Sequence, residues 1–542
     1  MSTRTGEKYL SDSGSPLSHG GSGSWEFNRN EVRPVEWVLL FLVFGINVPV
    51  WTMIAILRGI GESRMPAPGE TAAPANRMRP DEVAIVIPAH DEEGGIAKSI
   101  TSALRIVPAA NVHVLADGCR DRTAEIAAGF GVRVLDLSPG RGKAGAIEAA
   151  IGHFDITHRF GALLIVDADT EVDPDYLTNG LPMLDDPRYA AVAGYVRTPW
   201  TPQAHTFIGR LLISYRSRLW TIMQWMRYGQ SWRYINVTPI VPGFAGMYRT
   251  SVLPRMDINP PGLIIEDFNM TFELHHKRLG KIAFSPSVQA WTEDPDNLRD
   301  YYQQVRRWAL GLWQTLRRHG AWFGRFWFAT AVFMLEVVSS SLIILGLVVV
   351  GALMALGPLT GGWVLDWPVY REVHSALEPW LSAYNVVFFL FLPDYLITCV
   401  VAVLRRRPSL LVYGFGFLLV RFIDAAATMW TLYRVWRANS SGRWTSPRRL
   451  PPVLPPRGQA EAPLASEMSS PAQARWVVLR DAMVVLPVAA VVGLALADVL
   501  SAVLVAVLLV AAAVVTISWR RRPRREVAAV GSATGDRPPG RV

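Results

Sequence analysis

The sequence predicts an α/β fold with a mostly parallel sheet inserted between transmembrane helices. Two observations predict it. Between residues 83 and 166, short apolar runs alternate with segments of helical period, which is typical of a parallel sheet covered by helices on both faces. On either side of this region, long apolar runs with few charges are long enough to cross a bilayer. Half of the 542 residues are apolar, so the chain is long enough for two or more domains.

The elements of the soluble part are expected in regular order along the chain. Strands are predicted at Val83 to Pro88, Val112 to Ala116, Val132 to Leu135 and Ala162 to Val166. Helices are predicted near Gly95 to Ile106, Arg122 to Phe130 and Lys143 to His153. Asp173-Pro174 predicts the start of a further helix, because an acidic cap followed by proline at the first position is a helix-start signal.

Apolar segments of membrane-spanning length flank the soluble part. They are Val35 to Leu57, Phe326 to Leu356, Leu381 to Leu404 and Leu410 to Trp430, with a hairpin formed by Met483 to Ala497 and Ala502 to Trp519. The first lies well inside the chain without a small-residue cleavage pattern, which disfavours a signal peptide. The predicted organisation is a disordered N-terminus (1–34), a transmembrane helix (35–57), a linker (58–80), a soluble domain (81–297), an interface helix (298–320), a membrane region of about three helices (325–433), a loop (434–474), a membrane hairpin (475–519) and a basic, disordered tail (520–542).

Two basic amphipathic helices are predicted near the membrane, at Gln203 to Tyr228 and Leu298 to Arg318. Their apolar residues recur at helical spacing and their arginines face elsewhere, which is typical of helices in the membrane interface; packing on the sheet explains the same period equally well. On the first helix the apolar residues are Phe207, Leu211, Tyr215, Leu219, Ile222 and Met226, and the arginines are Arg210, Arg218 and Arg227. On the second the apolar residues are Tyr302, Val305, Trp308, Leu312 and Leu316.

The net charge of +9 comes from arginine clusters beside the apolar segments, which indicates contact with anionic membrane lipid rather than nucleic acid. The positive-inside rule places the soluble domain in the cytoplasm of a multi-pass plasma-membrane protein. Alternating spans then put Arg405 to Arg407 inside, as the rule requires, but the arginines from Arg434 to Arg449 outside. Either Leu410 to Trp430 does not cross completely or the rule fails here.

Charged residues inside apolar segments are costly in lipid, so Asp394, Arg421 and Asp424 are expected to face the protein interior or a polar path. The chain contains two cysteines, Cys119 and Cys399. This number excludes a disulfide framework and a cysteine-rich zinc site.

Four polar clusters follow predicted strands or precede a predicted helix. An Asp-x-Asp pair alone is more often a solvated acidic turn than a site, but clusters at the carboxyl ends of parallel strands meet where such sheets bind ligands. The clusters are Pro88 to Glu92, Asp117-Gly118, Gly140 to Lys143 and Asp167-Ala168-Asp169. The carboxylates suit Mg²⁺ or Mn²⁺, Asp117 suits a base or ribose, and Lys143 near a helix start suits phosphate. A Walker loop is excluded, since Leu137 and Ala144 occupy positions that it requires as glycine and Ser or Thr.

Three later motifs complete the pattern. They are Pro242-Gly243-Phe244-Ala245-Gly246-Met247-Tyr248-Arg249, Ile265-Glu266-Asp267 and Gln304-x-x-Arg307-Trp308. With the four clusters they resemble family 2 glycosyltransferases of the GT-A fold. The resemblance runs from about residue 83 to 320 and is strongest to the membrane-embedded processive synthases of cellulose, chitin, hyaluronan and poly-N-acetylglucosamine.

The resemblance implies a role for each matching residue. Asp117 would contact the uracil of a UDP-sugar, Asp169 with Asp167 would bind Mg²⁺ or Mn²⁺ on its diphosphate, and Asp267 would be the general base. Gln304, Arg307 and Trp308 would hold the diphosphate and the acceptor, and further substrate contacts are expected from Ala89, Glu92, Lys143, Asp167 and Glu266. Alternatives stay open: Glu266 as the base with Asp267 as a helix cap, Arg307 as an interfacial cation, Trp308 as a packing residue. Trp200 and Trp291 are candidates to line a sugar path.

The sequence also departs from the family pattern. Ala116 replaces a frequent aspartate, Ala245 a cysteine found in some members, and His90 the usual aromatic or polar residue. No cyclic-dinucleotide receptor domain is expected after the last spans. Poly-N-acetylglucosamine synthases work with a small two-span partner, and the 475–519 hairpin is interpreted as a fused counterpart. The chain is otherwise expected to bind a separate small membrane protein or to form a homo-oligomer.

The predicted function is an inverting hexosyltransferase that moves sugar from a UDP-sugar, UDP-N-acetylglucosamine first among them, to a growing β-linked polysaccharide and exports it. One alternative is transfer of a single sugar to a lipid or polyprenyl acceptor. A second is a non-catalytic membrane scaffold, which the joint presence of Asp117, Asp169, Asp267 and Arg307 disfavours.

Overall fold

The computed structural model describes residues 77–228, 232, 235–378, 391–437 and 477–487. The predicted N-terminus (1–34), first transmembrane helix (35–57) and most of the linker (58–80) lie outside the described residues. So do the loop from residue 438 onward, most of the 475–519 hairpin and the tail.

Eight strands form one sheet in the order β3-β2-β1-β4-β7-β6-β8-β5. The strands are β1 (Val83–Ala89), β2 (Val112–Asp117), β3 (Arg133–Leu137), β4 (Ala162–Val166), β5 (Thr170–Val172), β6 (Tyr189–Arg197), β7 (Ala245–Arg249) and β8 (Lys281–Thr292). The first four pair in parallel, β7 runs antiparallel to both β4 and β6, β6 pairs in parallel with β8, and β5 is antiparallel to β8. The α/β class is confirmed, but the sheet is mixed beyond β4, because β7 and β5 run antiparallel to the strands beside them.

Five helices accompany the first part of the sheet: α1 (Ile96–Leu104), α2 (Thr123–Gly129), α3 (Gly142–His153), α4 (Ile156–Arg159) and α5 (Tyr176–Asp185). Every residue of β1, β2 and β4 is buried beneath them, as continuous apolar runs predict. The helix predicted to start at Pro174 begins two residues later. The Asp173 carboxylate accepts a hydrogen bond from the Asp175 amide at 3.0 Å, so these residues form a turn before the helix.

Three helices build the side of the domain that faces the apolar segments: α6 (Phe207–Trp220), α7 (Glu266–His276) and α8 (Leu298–His319). A π-helix, Thr221–Tyr228, continues α6, and the side chains of Met226 and Arg227 lie outside the described set. The expectation that the α6 arginines face away from the protein is wrong. Arg210 and Arg218 are 3% and 5% exposed, because carboxylates of other helices, Asp481 and Asp394, pair with them at 2.6 Å each.

The remaining helices are α9 (Arg325–Leu359), α10 (Pro368–Leu377), α11 (Leu392–Leu404), α12 (Ser409–Tyr413), α13 (Phe417–Arg434) and α14 (477–487). Within the described part of the chain, Arg325–Met354 and Ser409–Arg434 are long and apolar enough to cross a membrane. Two such helices are weak evidence, so the multi-pass plasma-membrane location stays a prediction.

Helix α13 packs along α8. Asp424 accepts a hydrogen bond from the Tyr301 hydroxyl at 2.7 Å near the start of α8, and the Val435 carbonyl accepts one from Arg317 at 2.5 Å near its end. This contact runs along the length of α8, and both alternatives for Leu410 to Trp430 stay predictions. The expectation for the charged residues is confirmed, since Asp394 binds Arg421 at 2.9 Å and Asp424 also binds Tyr215.

Candidate active site

The predicted clusters meet at the carboxyl edge of the sheet. Ala89 at the end of β1 pairs with Ala116, which places Asp117 beside it. Strand β4 lies on the other side of β1, and Asp167 follows its last residue. The amide of Asp167 donates to the Phe244 carbonyl at 3.1 Å, which brings the 242–249 segment to the same edge.

Asp117 organises the loop before α3. It is 5% exposed, and its carboxylate accepts hydrogen bonds from the amides of Arg141 at 2.5 Å and Gly142 at 2.7 Å. These are among the amides that a helix N-terminus leaves without an internal partner. His90 contacts the Asp117 carbonyl through Nδ1 at 2.6 Å. Asp117 therefore orients the start of α3, and its predicted contact with uracil would use the remaining lone pairs.

Lys143, in the first turn of α3, joins three segments at this edge. Its Nζ lies 2.6 Å from both Asp167 Oδ1 and Glu266 Oε1 and donates to the Gly243 carbonyl at 3.3 Å. The side chain is 12% exposed. Burial opposes the charged form, but the two carboxylates raise the pKa of Lys143 above its ordinary value. Lys143 is predicted to contact a phosphate; in the structure its ammonium bridges the carboxylates of Asp167 and Glu266.

Gly243 is a glycine because three side chains crowd its α-carbon. A Cβ there would lie 2.9 Å from Lys143 Nζ, 3.1 Å from Glu266 Oε1 and 3.3 Å from Asp267 Oδ2. Any larger residue would push these groups apart. The glycine of the 242–249 motif thus permits the close approach of the lysine and both acidic residues.

Asp267 lies in the first turn of α7. Its carboxylate accepts hydrogen bonds from the amides of Gly243 at 3.1 Å and Phe268 at 2.6 Å. Burial, reinforced by the neighbouring Glu266 carboxylate, raises the pKa of Asp267 to about 7. A carboxylate of this pKa suits general-base catalysis near neutral pH. Glu266 is committed to Lys143, which favours Asp267 over Glu266 as the base, although Asp267 also bonds the helix start.

Asp167 and Asp169 supply hard oxygen donors at the end of β4. Asp169 Oδ1 accepts hydrogen bonds from the hydroxyls of Thr170 at 3.3 Å and Thr292 at 3.5 Å. Burial raises the pKa of Asp167, and the nearby Asp169 adds to this, while Lys143 opposes it. Two neighbouring carboxylates that disfavour each other's charge gain from a divalent cation, so this donor set fits Mg²⁺ or Mn²⁺.

Helix α8, which carries the Gln304-x-x-Arg307-Trp308 motif, packs against the segment before Asp267. A Cβ on Gly311 would lie 2.8 Å from Ile265 Cδ1, and the Gln314 side chain accepts from the Ile264 amide at 3.1 Å. The motif therefore lies on the helix that packs against the residues just before Glu266. Arg307 is half-buried and forms no ion pair within the described ranges, which leaves its guanidinium available to an anion.

Arg216 on α6 is a residue that the sequence reasoning missed. It is 1% exposed, with its Cζ 4.4 Å from the Trp308 ring centroid and 4.6 Å from that of Tyr301, and it donates to Gln304 Oε1 at 2.8 Å. The arginine thereby holds two of the three motif side chains. Its position in the sequence, next to Tyr215 of the apolar stripe, gives no signal of this contact.

Asp294 is a second missed residue. It accepts hydrogen bonds from the Thr198 hydroxyl at 2.6 Å and from the Trp220 indole at 3.4 Å. Burial raises the pKa of Asp294, and Arg216 opposes the rise. Trp220 in turn lies 5.6 Å from Trp308 between ring centroids. Asp294 therefore belongs to the polar surroundings of the motif.

The other residues predicted to contact substrate or line a sugar path are Ala89, Glu92, Trp200 and Trp291. Ala89 accepts a weak hydrogen bond from the Cys119 thiol at 3.4 Å, and the Glu92 amide donates to Thr123 at 2.8 Å, with Glu92 itself 8% exposed. Trp291 is 37% exposed, whereas the Trp200 ring lies 3.7 Å from Arg407. The structure therefore leaves Trp291 as the more accessible candidate for a sugar path.

Asp91, Cys119 and Asp121 offer ligand atoms within 4.8 Å of one another, a group that the sequence reasoning did not identify. The Asp91 carboxylate accepts from the Arg120 amide at 2.7 Å and that of Asp121 from the Glu93 amide at 2.9 Å. These bonds tie together the loops after β1 and β2. Burial raises the pKa of the Cys119 thiol, which disfavours the thiolate that metals bind.

Part of the chain is similar to known glycosyltransferases. Residues 162–365 match the family described as Glycosyl transferase family group 2. The probable glycosyltransferase YdaM of Bacillus subtilis (strain 168) is 25% identical over 246 residues, which are 42% of this chain and 55% of YdaM. The chain therefore spans about half the length of this curated relative.

Two solved structures are similar at lower identity. The mannosyltransferase PcManGT from Pyrobaculum calidifontis, in complex with GDP-Man and Mn²⁺, is 17% identical; the match covers 65% of this chain and 96% of that one, with a TM-score of 0.44. Glucosyl-3-phosphoglycerate synthase from Mycobacterium tuberculosis, in complex with Mn²⁺, UDP-glucose and phosphoglyceric acid, is 18% identical; the match covers 45% and 80%, with a TM-score of 0.31.

The matched residues include the Asp-x-Asp pair after β4, Asp267 and the motif on α8. Over residues 162–365 the chain is therefore similar to glycosyltransferases of family group 2, the class that the sequence predicts.

Proposed function

We propose that the chain is an inverting glycosyltransferase that transfers a sugar from a UDP-sugar, UDP-N-acetylglucosamine first among them, to a growing β-linked polysaccharide and exports the product. The observation that carries the proposal is the Asp267 carboxylate, whose pKa of about 7 fits a base that takes a proton from an acceptor hydroxyl. It is held by the Gly243 amide beside Lys143 and Asp167.

The reaction needs a base on one side of the sugar and neutralisation of charge on the other. The acceptor oxygen attacks the anomeric carbon, its proton passes to Asp267, and the bond to the diphosphate breaks with inversion. A Mg²⁺ or Mn²⁺ ion held by Asp167 and Asp169 would neutralise charge on the leaving diphosphate. Arg307 supplies a guanidinium for the same charge, and the Trp308 indole offers an apolar face to the acceptor sugar.

A second candidate function is transfer of a single sugar to a lipid or polyprenyl acceptor. Every role assigned above is the same for either acceptor. The size of the product separates the two functions.

The purified chain in lipid nanodiscs should release UDP and glycosylate an acceptor when given UDP-sugars with Mg²⁺ or Mn²⁺, and EDTA should abolish both. A panel of UDP-sugars identifies the donor, and gel sizing or mass spectrometry of the product distinguishes a polymer from a single transfer. A chain that binds no UDP-sugar and releases no UDP with either ion would contradict the proposed function.

The rate should depend on pH through Asp267. The base acts when deprotonated, and its pKa is raised to about 7, so kcat/KM should fall about tenfold per pH unit below 7 and reach a plateau above it. Coupled assay of UDP release at saturating metal measures this profile. A rate that is constant between about pH 5.5 and 8 would exclude a base of this pKa.

A further inference from the structure

Three arginines converge beside the active-site edge of the sheet. Arg197 ends β6, while Arg405 and Arg407 lie in the loop between α11 and α12. The Cζ atoms of Arg197 and Arg405 lie 5.9 and 5.6 Å from the centroid of the same Tyr195 ring, and Arg405 donates to the Tyr195 hydroxyl at 3.0 Å. The Arg407 guanidinium stacks 3.7 Å from the Trp200 ring.

Among the described residues, none of these three arginines forms an ion pair with a carboxylate. Arg197 donates to the Gln289 side chain at 2.8 Å and Arg407 to the Ser409 hydroxyl at 3.4 Å. The Nη2 atom of Arg407 is buried and has no hydrogen-bond partner in the same part of the chain. The nearby Asp173 attracts Arg197 from beyond ion-pair distance.

The three arginines are half-buried, and two fully buried arginines give a contrast. Arg210 and Arg218 each have a carboxylate at 2.6 Å. In the three-arginine cluster, burial and repulsion from Arg405 lower the pKa of Arg197, and the same causes lower the pKa of Arg407 to about 9. Arg210 and Arg218 have carboxylate partners, and Arg216 is held by Gln304 and aromatic rings. In the cluster, three guanidinium groups lie near one another with no paired carboxylate among the described residues, which indicates an anion from outside the chain.

The location of the cluster identifies the source of the anion. Because Arg405 contacts β6, the loop lies on the same side as the catalytic domain. Helix α11, which ends just before it, exposes apolar side chains that suit lipid tails better than water. They are Leu396, Val400, Val403 and Leu404, each 47% to 54% exposed. The guanidinium groups therefore lie at the end of an apolar face, where a lipid head group would stand.

The cluster is also close to the proposed metal ligands. Arg197 pairs with Trp291 across β6 and β8, and Trp291 pairs with Glu171 across β8 and β5. Glu171 follows Asp169 by two residues. Arg197 and Glu171 are therefore two strand spacings apart, a distance of roughly 10 Å.

We propose that Arg197, Arg405 and Arg407 form a binding site for the phosphate of an anionic lipid, with the lipid tails on the exposed face of α11. Planar guanidinium forks match phosphate oxygens with paired hydrogen bonds. Inorganic phosphate shares this head-group chemistry, but a lipid also covers the apolar face. The site goes beyond the proposed function, because it depends on no assignment of donor or product.

The test is a thermal-shift titration of the full chain in detergent with short-chain phosphatidic acid, phosphatidylcholine of the same tail length, or inorganic phosphate. Phosphatidic acid should stabilise the protein saturably, and phosphatidylcholine should not. Arg405→Gln and Arg407→Gln should each weaken the apparent affinity about tenfold, since each removes charge-assisted hydrogen bonds. Arg407→Lys, which keeps the charge without the fork, should be intermediate.

Arg406→Gln is the matched control, because Arg406 is the exposed neighbour in the same loop and should leave the affinity unchanged. Equal loss in Arg406→Gln and Arg407→Gln would overturn the site in favour of general surface charge. Equal protection by inorganic phosphate and phosphatidic acid would overturn the lipid assignment. The binding readout needs no turnover, so its failure is distinguishable from failure of the proposed glycosyl transfer.

Discussion

Asp267→Asn is expected to lower kcat/KM by about 10²- to 10⁴-fold, because an amide cannot take the proton of the acceptor hydroxyl. The substitution conserves size, and the one amide oxygen can keep the hydrogen bond from the Gly243 amide while the bond from the Phe268 amide is lost. Donor affinity should therefore stay within about threefold of the wild type. Initial rates of UDP release and calorimetric titration with UDP measure the two quantities.

Two controls accompany this variant. Asp155→Asn changes an exposed aspartate at a left-handed position, φ 52°, which asparagine tolerates, and it should keep full activity. Glu266→Gln tests the alternative base; it loosens the bond to Lys143 and should cost less rate than Asp267→Asn. Loss of activity in Glu266→Gln with normal rates in Asp267→Asn would reverse the assignment of the base.

The first half of the fold follows from local pattern. Strands β1, β2 and β4 are buried apolar runs separated by helices of regular period, and their predicted bounds agree with the structure within about two residues. The second half gives no such signal. Strand β8 contains Pro286 and pairs with β6 through register shifts, so its burial does not alternate regularly. Its place in the sheet depends on contacts that a local window does not contain.

The site shows the same division. Asp117, Asp169 and Asp267 could be selected as candidate site residues because the motifs that contain them occur in an order that resembles one enzyme family. The burial of Arg218 and Arg210 could not, because their carboxylate partners are 176 and 271 residues away in the chain. Long-range ion pairs leave no local period, so the sequence left open whether α6 lies in the membrane interface or packs on the domain, where buried ion pairs hold it.

Lys143 is another group whose contacts sequence alone does not reveal. Its ammonium lies between Asp167 and Glu266, whose side chains are 35% and 7% exposed. Without the lysine, the buried Glu266 carboxylate would lose the cation that now pairs with it. It would also remain next to the carboxylates of Asp267 and Asp167. Breaking such a pair by removing one partner costs about 3–5 kcal/mol when both groups are fully buried. The partial exposure of Asp167 lowers the expected cost.

Lys143→Met is therefore expected to destabilise the protein by about 3 kcal/mol and to lower the melting temperature by about 6–12 °C. The loss should shrink as pH falls, because protonation of carboxylates with raised pKa relieves their repulsion only in the folded state. Lys98→Met is the matched control, since its pair with Glu293 at 3.8 Å is exposed and contributes little. Equal melting temperatures for the two variants, at pH 8 and pH 6, would show that Lys143 does not hold this edge of the sheet together.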